Sequence, residues 1–301
     1  MDKKRMKGVV IPMITPMNED GSVDYKGVES FSEYLIKEGV DCLYPNGTNG
    51  ESLLLTAEER QKIAEVIVKT SAGRIPVFIQ CGAMSTAETA AHAKHAVEIG
   101  ADGIGIMTPA FFPMDEESLF QYYCDVIGPL PEDFPVYIYN IPGCTGNDLK
   151  PELLCRLMKK FPNIAGIKYS NSDLMRVENY LLKNERTPDV LIGCDSLFLQ
   201  CLAAGGVGTV TGPGAIFCKR FNRLYKSFCE GDLCGAMKAQ QQIVKTDRDL
   251  EGIPGIPALK TMLKMKGVIR TDVCRKPLRA LTAEECKVLE GAMKEYEKEE
   301  N

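Results

Sequence analysis

Two short apolar runs, Pro135-Val-Tyr-Ile-Tyr-Asn140 and Ile164-Ala-Gly-Ile-Lys-Tyr169, flank the segment Pro151-Glu-Leu-Leu-Cys-Arg-Leu-Met-Lys-Lys-Phe161. The outer runs are short and rich in β-branched and aromatic residues, which favours buried strands. The central segment is amphipathic with helical spacing, which predicts an α-helix. A strand, a helix of roughly ten residues and a second strand form a βαβ unit, and successive units give a parallel sheet.

The same alternation of strand and helix continues through most of the chain. The eight predicted strands are Gly8–Thr15, Asp41–Asn46, Pro76–Gly82, Gly103–Thr108, Pro135–Asn140, Ile164–Tyr169, Val190–Gly193 and Gly206–Thr211. The amphipathic segments between and after them are Tyr25–Glu38, Ala57–Thr70, Thr86–Ile99, Glu116–Ile127, Pro151–Phe161, Leu174–Asn184, Ser196–Ala204 and Lys219–Glu230. Eight such units predict an α/β fold, the (β/α)8 TIM barrel. An open doubly wound sheet is the rival architecture, but no Gly-x-Gly-x-x-Gly turn or Walker loop supports it.

The βαβ pattern ends near Gly231, which predicts the domain organisation. We expect residues 1–230 to form the catalytic barrel and residues 231–301 to form a helical extension packed on it. The extension is predicted to hold three helices separated by prolines, and the charged end near Asn301 is expected to fray. These helices are Asp232–Leu250, Ala258–Lys266 and Thr282–Glu297.

Composition excludes several classes of protein. The chain has 301 residues, of which 45% are hydrophobic and 26% charged, as in ordinary globular proteins. Its formal charge of −5 gives no electrostatic reason to bind nucleic acid or an anionic membrane. No apolar run approaches the length of a membrane span, and Pro12 and Pro16 interrupt any signal core after the basic start Met1–Lys7. We therefore expect a cytoplasmic enzyme.

Cysteine and histidine usage narrows the chemistry further. The twelve cysteines include no Cys-x-x-Cys pair, so free buried thiols are expected rather than a zinc site or a disulfide framework. The chain has two histidines, His92 and His95, which we place on the solvated face of a surface helix. This scarcity disfavours Ser-His-Asp hydrolysis and histidine-bound metal catalysis. No metal and no cofactor is expected.

Lys168 is the most informative residue, because it stands inside a predicted buried strand. Lysine is almost never fully buried unless something pairs with it or uses it. An amine that loses its hydration favours the neutral form, which is a nucleophile toward carbonyl carbon, so a Schiff base is the first chemistry to consider. A lysine that reaches solvent from the strand end, or pairs with a carboxylate, is an equal alternative at this point.

The predicted barrel brings other polar groups to the same place, since barrel active sites lie at the carboxyl ends of the strands. Lys168 lies near the end of the sixth strand, and the second strand ends in Asn46-Gly-Thr-Asn-Gly-Glu51. Tyr137 and Tyr139 share a face of the fifth strand, and either could point inward as a proton relay or as core. Gly47 and Gly50 permit either a close backbone approach to a ligand carboxylate or a plain tight turn.

Three motifs, in this order, resemble a known family. They are Gly47-Thr-Asn-Gly-Glu51, Tyr139-Asn-Ile-Pro-Gly-Cys-Thr-Gly146 and Gly166-Ile-Lys168. Together they are similar to the dihydrodipicolinate synthase / N-acetylneuraminate lyase family of class I pyruvate-dependent aldolases, over nearly the whole chain.

The resemblance implies a role for each of five residues. Lys168 would form a Schiff base with pyruvate, Tyr139 would transfer protons, and Thr48 would hydrogen-bond Tyr139. The backbone amides of Thr48 and Asn49 would hold the pyruvate carboxylate. Val210 would turn its carbonyl toward the imine.

Departures from the synthase pattern bear on the second substrate. Phe111 stands where the synthases have a relay tyrosine, and Cys144 stands where they have an arginine for a substrate carboxylate. The residues at the feedback-lysine positions also look unsuited to lysine; they are Ala57, Arg60, Met84 and Ala110.

Other positions resemble the sialic-acid lyase pattern, among them Cys274-Arg-Lys-Pro277. Asp195 and Thr211 match groups that contact sugar hydroxyls. Ser196 replaces the expected glutamate, which favours a sugar-acid-derived 2-oxo acid shorter than sialic acid.

We therefore expect a pyruvate-dependent aldolase or lyase that acts on pyruvate and an aldehyde or sugar-acid-derived co-substrate, similar to N-acetylneuraminate lyase. Asp195, Ser196 and Thr211 would bind the second substrate. The resemblance implies a homotetramer built as a dimer of dimers. Two alternatives stay open: a 4-hydroxy-tetrahydrodipicolinate (dihydrodipicolinate) synthase with an altered proton relay, and a non-catalytic barrel that binds a 2-oxo acid.

Overall fold

An eight-stranded parallel barrel forms the centre of the computed structural model, which describes residues 4–182 and 186–300. The strands are Gly8–Ile11 (β1), Cys42–Leu43 (β2), Phe78–Gln80 (β3), Gly103–Met107 (β4), Val136–Asn140 (β5), Ile164–Tyr169 (β6), Asp189–Ile192 (β7) and Gly208–Val210 (β8). Their order is β2-β1-β8-β7-β6-β5-β4-β3, and a parallel bridge between Leu43 and Val77 closes the ring between β2 and β3. The predicted (β/α)8 barrel is confirmed.

Helices surround the barrel and continue beyond it. They are Tyr25–Lys37 (α1), Ala57–Ser71 (α2), Thr86–Glu98 (α3), Glu116–Ile127 (α4), Pro142–Thr145 (α5), Pro151–Lys160 (α6), Leu174–Leu182 (α7), Phe198–Ala203 (α8), Cys218–Cys229 (α9), Leu233–Asp249 (α10), Gly255–Met265 (α11) and Ala283–Glu300 (α12). Single 3₁₀ turns occupy Ser52–Leu54, Asp195–Leu197 and Pro213–Ala215. Every predicted strand and helix is present, although the predicted helix end at Asn184 and the end of the chain at Asn301 lie outside the described residues.

Local sequence explains where the helices begin. Thr56 precedes α2, and its hydroxyl accepts a hydrogen bond from the Glu59 amide while the Glu59 carboxylate accepts one from the Thr56 amide. This capping box satisfies two amides that a helix start leaves free. Pro151 occupies the first turn of α6, where its missing N–H costs nothing.

The register of β5 and β6 fixes the geometry of the barrel mouth. Tyr139 pairs with Lys168 across these two strands. Paired residues of neighbouring parallel strands project to the same face, so both side chains enter the barrel. Tyr137 also faces inward, but at the amino-terminal end, where its hydroxyl donates to Asp189 and accepts from the Met6 amide. Of the two tyrosines, Tyr139 is therefore the one at the mouth.

Two apolar layers hold the barrel. The inner layer is a small buried cluster inside the strands, formed by Met6, Val10, Cys42, Tyr44, Phe78, Tyr137, Leu191 and Val210. The outer and much larger layer lies between the strands and the surrounding helices. The inner cluster leaves the carboxyl ends of the strands free for polar side chains, which is where a barrel places its site.

The C-terminal helices pack on one side of the mouth. Helix α10 lies along α9 and against the Asp195–Leu197 turn, while α11 packs on α12. The division into residues 1–230 and 231–301 stays a prediction. The predicted fraying is wrong as far as Glu300, because α12 continues to that residue, and Leu289, Met293 and Tyr296 are buried in the core.

Two expectations about reactive side chains have different outcomes. All twelve cysteines are free, as predicted, but only four of them are buried, namely Cys42, Cys81, Cys201 and Cys218. The solvated position predicted for His92 is wrong, because its side chain is on the inner face of α3 and is only 5% exposed. Burial, with the nearby Arg60 guanidinium, lowers the pKa of His92 to about 4. Within the described residues, no helix is both long enough and apolar enough to cross a membrane.

Candidate active site

A cavity of about 640 Å³ opens at the carboxyl ends of the strands. The strand ends contribute most of the residues predicted from the sequence, and the α10–α11 connection contributes an apolar wall. Six predicted site residues line this cavity: Thr48, Asn49, Tyr139, Lys168, Asp195 and Val210. The structure thus brings together groups that are separated by up to 162 positions, from Thr48 to Val210.

Lys168 is buried in the wall of this cavity, with 5% of its surface exposed. Its Nζ lies 3.8 Å from the centroid of the Tyr139 ring and 5.2 Å from that of Tyr44. Among the described residues, no carboxylate forms an ion pair with Lys168. The geometry therefore disfavours both alternatives raised from the sequence, a lysine exposed at the strand end and a lysine paired with a carboxylate.

Tyr139 and Thr48 form the polar partner of the amine. Their hydroxyl oxygens lie 3.3 Å apart, within hydrogen-bonding distance. The Tyr139 ring packs edge-on against Tyr44, which is fully buried beneath the cavity. A hydroxyl pair beside an amine can carry a proton toward or away from a reacting carbonyl.

The turn after β2 presents two free backbone amides. Asn46 and Glu51 bracket it with left-handed backbone conformations, at φ angles of 60° and 58°. Within the turn, the amides of Gly50 and Glu51 donate to the carbonyls of Gly47 and Thr48. In the described part of the chain, the amides of Thr48 and Asn49 donate to no acceptor, and both residues line the cavity. Successive free N–H groups of this kind bind carboxylates.

Two aspartates, Asp195 and Asp247, give the cavity wall its acidic groups. Asp195 follows β7, and the Thr211 hydroxyl donates to its Oδ2 at 3.0 Å. Asp247 of α10 also lines the cavity and accepts a hydrogen bond from the Ser196 hydroxyl at 2.6 Å. Burial and the neighbouring Asp247 carboxylate raise the pKa of Asp195, and burial raises the pKa of Asp247. The two carboxyls thus tend to retain a proton.

Ser196 and Thr211 are near the cavity without lining it. Thr211 is 1% exposed, and its hydroxyl also accepts the Gly214 amide, so it supports Asp195 rather than facing a ligand. Ser196 supports Asp247 in the same way. Neither hydroxyl lines the cavity, and each contacts a carboxyl group that does, so the substrate contacts predicted for Ser196 and Thr211 stay a prediction.

Several lining residues carried no signal in the sequence. Asp247 lies on an otherwise ordinary amphipathic helix, and the α11 residues belong to a segment predicted only as packing. Among the described lining residues, Lys168 is the single cation, and Asp195 and Asp247 are the acids. Phe111 is 79% exposed, and Cys144 lines a smaller adjoining cavity. The described wall of the main cavity contains no guanidinium.

A buried lysine beside a tyrosine at the mouth of a TIM barrel, with free amides for a carboxylate, defines an enzyme of the class I aldolase type, a carbon–carbon lyase. The family model described as the dihydrodipicolinate synthetase family matches residues 5–296. The chain belongs to this family.

Individual relatives carry both synthase and lyase names. A 4-hydroxy-tetrahydrodipicolinate synthase of Shewanella pealeana is 34% identical over 291 residues, covering 95% of this chain and 97% of that protein. An N-acetylneuraminate lyase of Rattus norvegicus is 32% identical over 288 residues, covering 94% and 90%.

Solved structures give the same fold. The dihydrodipicolinate synthase from Aquifex aeolicus has a TM-score of 0.92 at 29% identity, covering 97% of this chain and 98% of that chain. YagE, a prophage protein of the dihydrodipicolinic acid synthase family from E. coli K12, was solved in complex with pyruvate. It has a TM-score of 0.92 at 27% identity, covering 97% and 99%. Because the family consists of enzymes, the non-catalytic barrel is set aside.

Proposed function

We propose that this enzyme forms a Schiff base between Lys168 and pyruvate, or the pyruvate portion of a longer 2-oxo acid. The observation that carries the proposal is the buried amine of Lys168, which forms no ion pair with any described residue and has the Tyr139 ring 3.8 Å from its Nζ. YagE, whose fold this chain shares, was solved in complex with pyruvate, which supports the same ligand here.

The carboxylate of the 2-oxo acid would anchor the substrate and so position its reacting C2 carbon. The free amides of Thr48 and Asn49 hold the carboxylate of the 2-oxo acid at one side of the cavity. Neutral Lys168 then attacks the C2 carbonyl and forms a carbinolamine. Tyr139 and Thr48 pass a proton to the departing hydroxyl, and water leaves as the imine forms.

The protonated imine is the electron sink for the carbon–carbon bond. In the cleavage direction, the substrate hydroxyl next to the bond loses its proton, an aldehyde forms, and the bonding electrons move into an enamine on Lys168. Tyr139 is the proton carrier within reach of this hydroxyl. Protonation of the enamine and addition of water then release pyruvate and restore the amine. Val210 lines the wall beside the imine, with its carbonyl turned toward the nitrogen in our proposal.

The second substrate is proposed to be a hydroxylated, uncharged chain such as that of a sugar-derived 2-oxo acid. The carboxyl groups of Asp195 and Asp247 line the cavity and can accept hydrogen bonds from hydroxyls. Among the described lining residues, Lys168 is the only cation, so none is left to bind a second carboxylate. The comparisons do not favour this choice, since synthases outnumber N-acetylneuraminate lyases among the relatives. The proposed second substrate is therefore argued from the residues of the cavity wall alone.

A panel of sugar-derived 2-oxo acids of increasing length tests the proposal. Release of pyruvate from at least one member, measured with a lactate dehydrogenase couple, is expected. Asp195→Asn should lower kcat/KM for that substrate by about tenfold or more, because a hydroxyl contact is weakened. If the whole panel is inert and the enzyme instead consumes pyruvate with aspartate semialdehyde, the sugar-acid assignment is wrong.

The synthase is the second candidate, and the 34% identity to the Shewanella pealeana enzyme favours it. In this case a water molecule would transfer the proton in place of the tyrosine hydroxyl that Phe111 lacks. Turnover with aspartate semialdehyde that rises in the Phe111→Tyr variant would support this function. A rate that is absent in both proteins would rule it out.

Assembly and location are further proposals. We propose a homotetramer of two dimers, acting in the cytoplasm on pyruvate without a metal or cofactor. A monomeric dihydrodipicolinate synthase variant shares this fold with a TM-score of 0.91, at 26% identity and covering 97% of each chain. The fold alone therefore does not fix the oligomeric state, and sedimentation must decide it.

A further inference from the structure

Glu51 and Lys260 form an ion pair that is hidden entirely from solvent. Both side chains are 0% exposed, and the Lys260 ammonium contacts Oε1 of Glu51. Lys260 also donates to the Val273 carbonyl at 2.7 Å, and Oε2 of Glu51 accepts the Arg275 amide at 2.7 Å. Charged groups are rarely buried in this way without full pairing. The pair therefore joins three segments that are distant in sequence.

The first of these segments is the turn that carries the free amides. Glu51 ends this turn with a φ of 58°, in the left-handed region that a glycine would adopt without strain. The backbone conformation of Glu51 is therefore unfavourable for a residue with a side chain. Its carboxylate gains its stabilisation from outside the turn, from Lys260 and the Arg275 amide.

The second segment is α11, which contributes to the cavity wall. Five consecutive residues, Gly255 to Leu259, line the cavity, and Lys260 follows them directly. The ammonium points away from the cavity into the protein, where it meets Glu51. One buried contact therefore sets the position of the amide turn relative to the helix that closes the cavity.

The third segment, from Val273 to Arg275, connects the turn and α11 to α2. The Arg275 guanidinium forms a two-point ion pair with Glu59 in the first turn of α2, at 2.6 Å for its Nη1, and also donates to the Leu54 carbonyl. These contacts hold the end of the turn and the residues that follow it. They leave the turn little freedom to reorient while Glu51 remains paired.

We infer that Glu51 and Lys260 are positioning residues that hold the Thr48 and Asn49 amides in place for the carboxylate of a 2-oxo acid. This inference rests on the proposed function. Both residues act through the turn, since Lys260 does not line the main cavity and neither does Glu51. Because the amides contact the carboxylate before and during the reaction, loss of the pair weakens binding more than it slows chemistry.

Borohydride trapping with pyruvate measures the two effects separately. Labelling of Lys168 is followed by mass spectrometry at increasing pyruvate concentration for the wild type, Glu51→Gln and Lys260→Met. In both variants the pyruvate concentration for half-maximal labelling should rise about tenfold or more, while the limiting labelling rate stays within about threefold. Arg220→Met is the control, because it breaks another ion pair of a buried side chain, with Glu299, and neither residue lines the cavity. Its half-maximal concentration should not change.

The outcomes separate this inference from the proposed function. If the wild type is labelled and a folded Glu51→Gln or Lys260→Met variant keeps the wild-type half-maximal concentration, the positioning role is refuted. If the wild type itself is not labelled, the proposed function fails, and the inference fails with it. Should the single variants not fold, the double variant Glu51→Gln/Lys260→Met leaves no unpaired buried charge and gives the same comparison.

Discussion

Lys168 is surrounded by aromatic rings rather than by a carboxylate. The rings of Tyr139 and Tyr44 exclude water from an amine that is 5% exposed. A single lysine in an apolar strand predicted a special role for this residue but left a carboxylate partner open, and the register of β5 and β6 places the Tyr139 ring beside it instead. Asp247 could not be predicted, because its partnership with Ser196 joins positions 51 residues apart and leaves no local pattern.

Replacing Tyr139 by phenylalanine tests the proton relay. The ring and its packing stay, while the hydroxyl 3.3 Å from Thr48 is lost. We expect kcat to fall by about 10² or more, which is the usual contribution of a positioned acid or base. Steady-state kinetics of pyruvate release would measure it.

Tyr137→Phe is the matched control, because it removes the same atom at the other end of the barrel. Its hydroxyl bonds Asp189 and the Met6 amide, so stability should fall while kcat stays near the wild-type value. Equal kcat values for Tyr139→Phe and the wild type would exclude Tyr139 from proton transfer.

Asp195 and Asp247 make stability depend on pH. Burial raises the pKa of both, and Asp247 adds to the shift of Asp195, so the folded enzyme holds a proton that the unfolded chain has released. The contribution of these two carboxyls to the free energy of unfolding should therefore fall as the pH rises above about 4, where an unfolded aspartate ionises. Asp247→Asn removes one of the two acids and the repulsion it exerts on Asp195, so the variant should lose less stability than the wild type as the pH rises from about 5 to about 8.

Urea unfolding at a series of pH values checks this expectation. Asp249→Asn, an exposed aspartate two positions along the chain, should leave the pH dependence as in the wild type. Identical pH dependence of the free energy of unfolding for Asp247→Asn and the wild type would show that the folded protein does not hold a proton on this pair.

At the scale of elements, the alternating pattern predicted all eight strands and the helices that follow them. Predicted strands such as Gly8–Thr15 were too long at the carboxyl end, since β1 ends at Ile11. The residues beyond Ile11 leave the sheet at the mouth of the barrel, where Pro12 lines the cavity. The cavity wall from α11 was missed because packing between distant helices has no periodic signature.

Gly105 of β4 tests how closely the strands must approach inside the barrel. A Cβ at this position would lie 1.9 Å from the hydroxyl oxygen of Tyr44. Gly105→Ala should therefore destabilise the fold by about 1–3 kcal/mol, and the displaced Tyr44 ring should lower kcat through Tyr139. Thermal unfolding and steady-state kinetics would measure both effects.

Gly291→Ala is the control for this substitution. Gly291 lies inside α12 with no atom within 4 Å of its would-be Cβ, so alanine should stabilise the helix by about 0.5–1 kcal/mol. A Gly105→Ala enzyme as stable and active as the wild type would show that the barrel interior relaxes around the extra methyl.

At the scale of the whole molecule, the surface near the mouth carries unusual apolar exposure. Phe111 and Phe112 are 79% and 63% exposed, and their rings pack edge to face with centroids 5.1 Å apart. Exposed aromatic pairs of this kind are typical of protein interfaces. The sequence suggested assembly through family resemblance alone, and the exposed pair gives it a physical reason.

Phe111→Glu should therefore break the proposed homotetramer. Sedimentation of the wild type is expected to give four chains, and the variant should give a smaller species because a charge is desolvated at the interface. Val288→Glu, at a residue of α12 that is 46% exposed, should sediment as the wild type does. A monomeric wild type would contradict the proposed assembly.

The most direct measurement is reduction of the enzyme with borohydride in the presence of pyruvate, followed by peptide mapping. We predict one reduced pyruvate adduct per chain, located at Lys168, and none in Lys168→Ala. Pyruvate-dependent labelling at a different lysine, no labelling at all, or full turnover by Lys168→Ala would contradict the Schiff base on which the proposed chemistry depends.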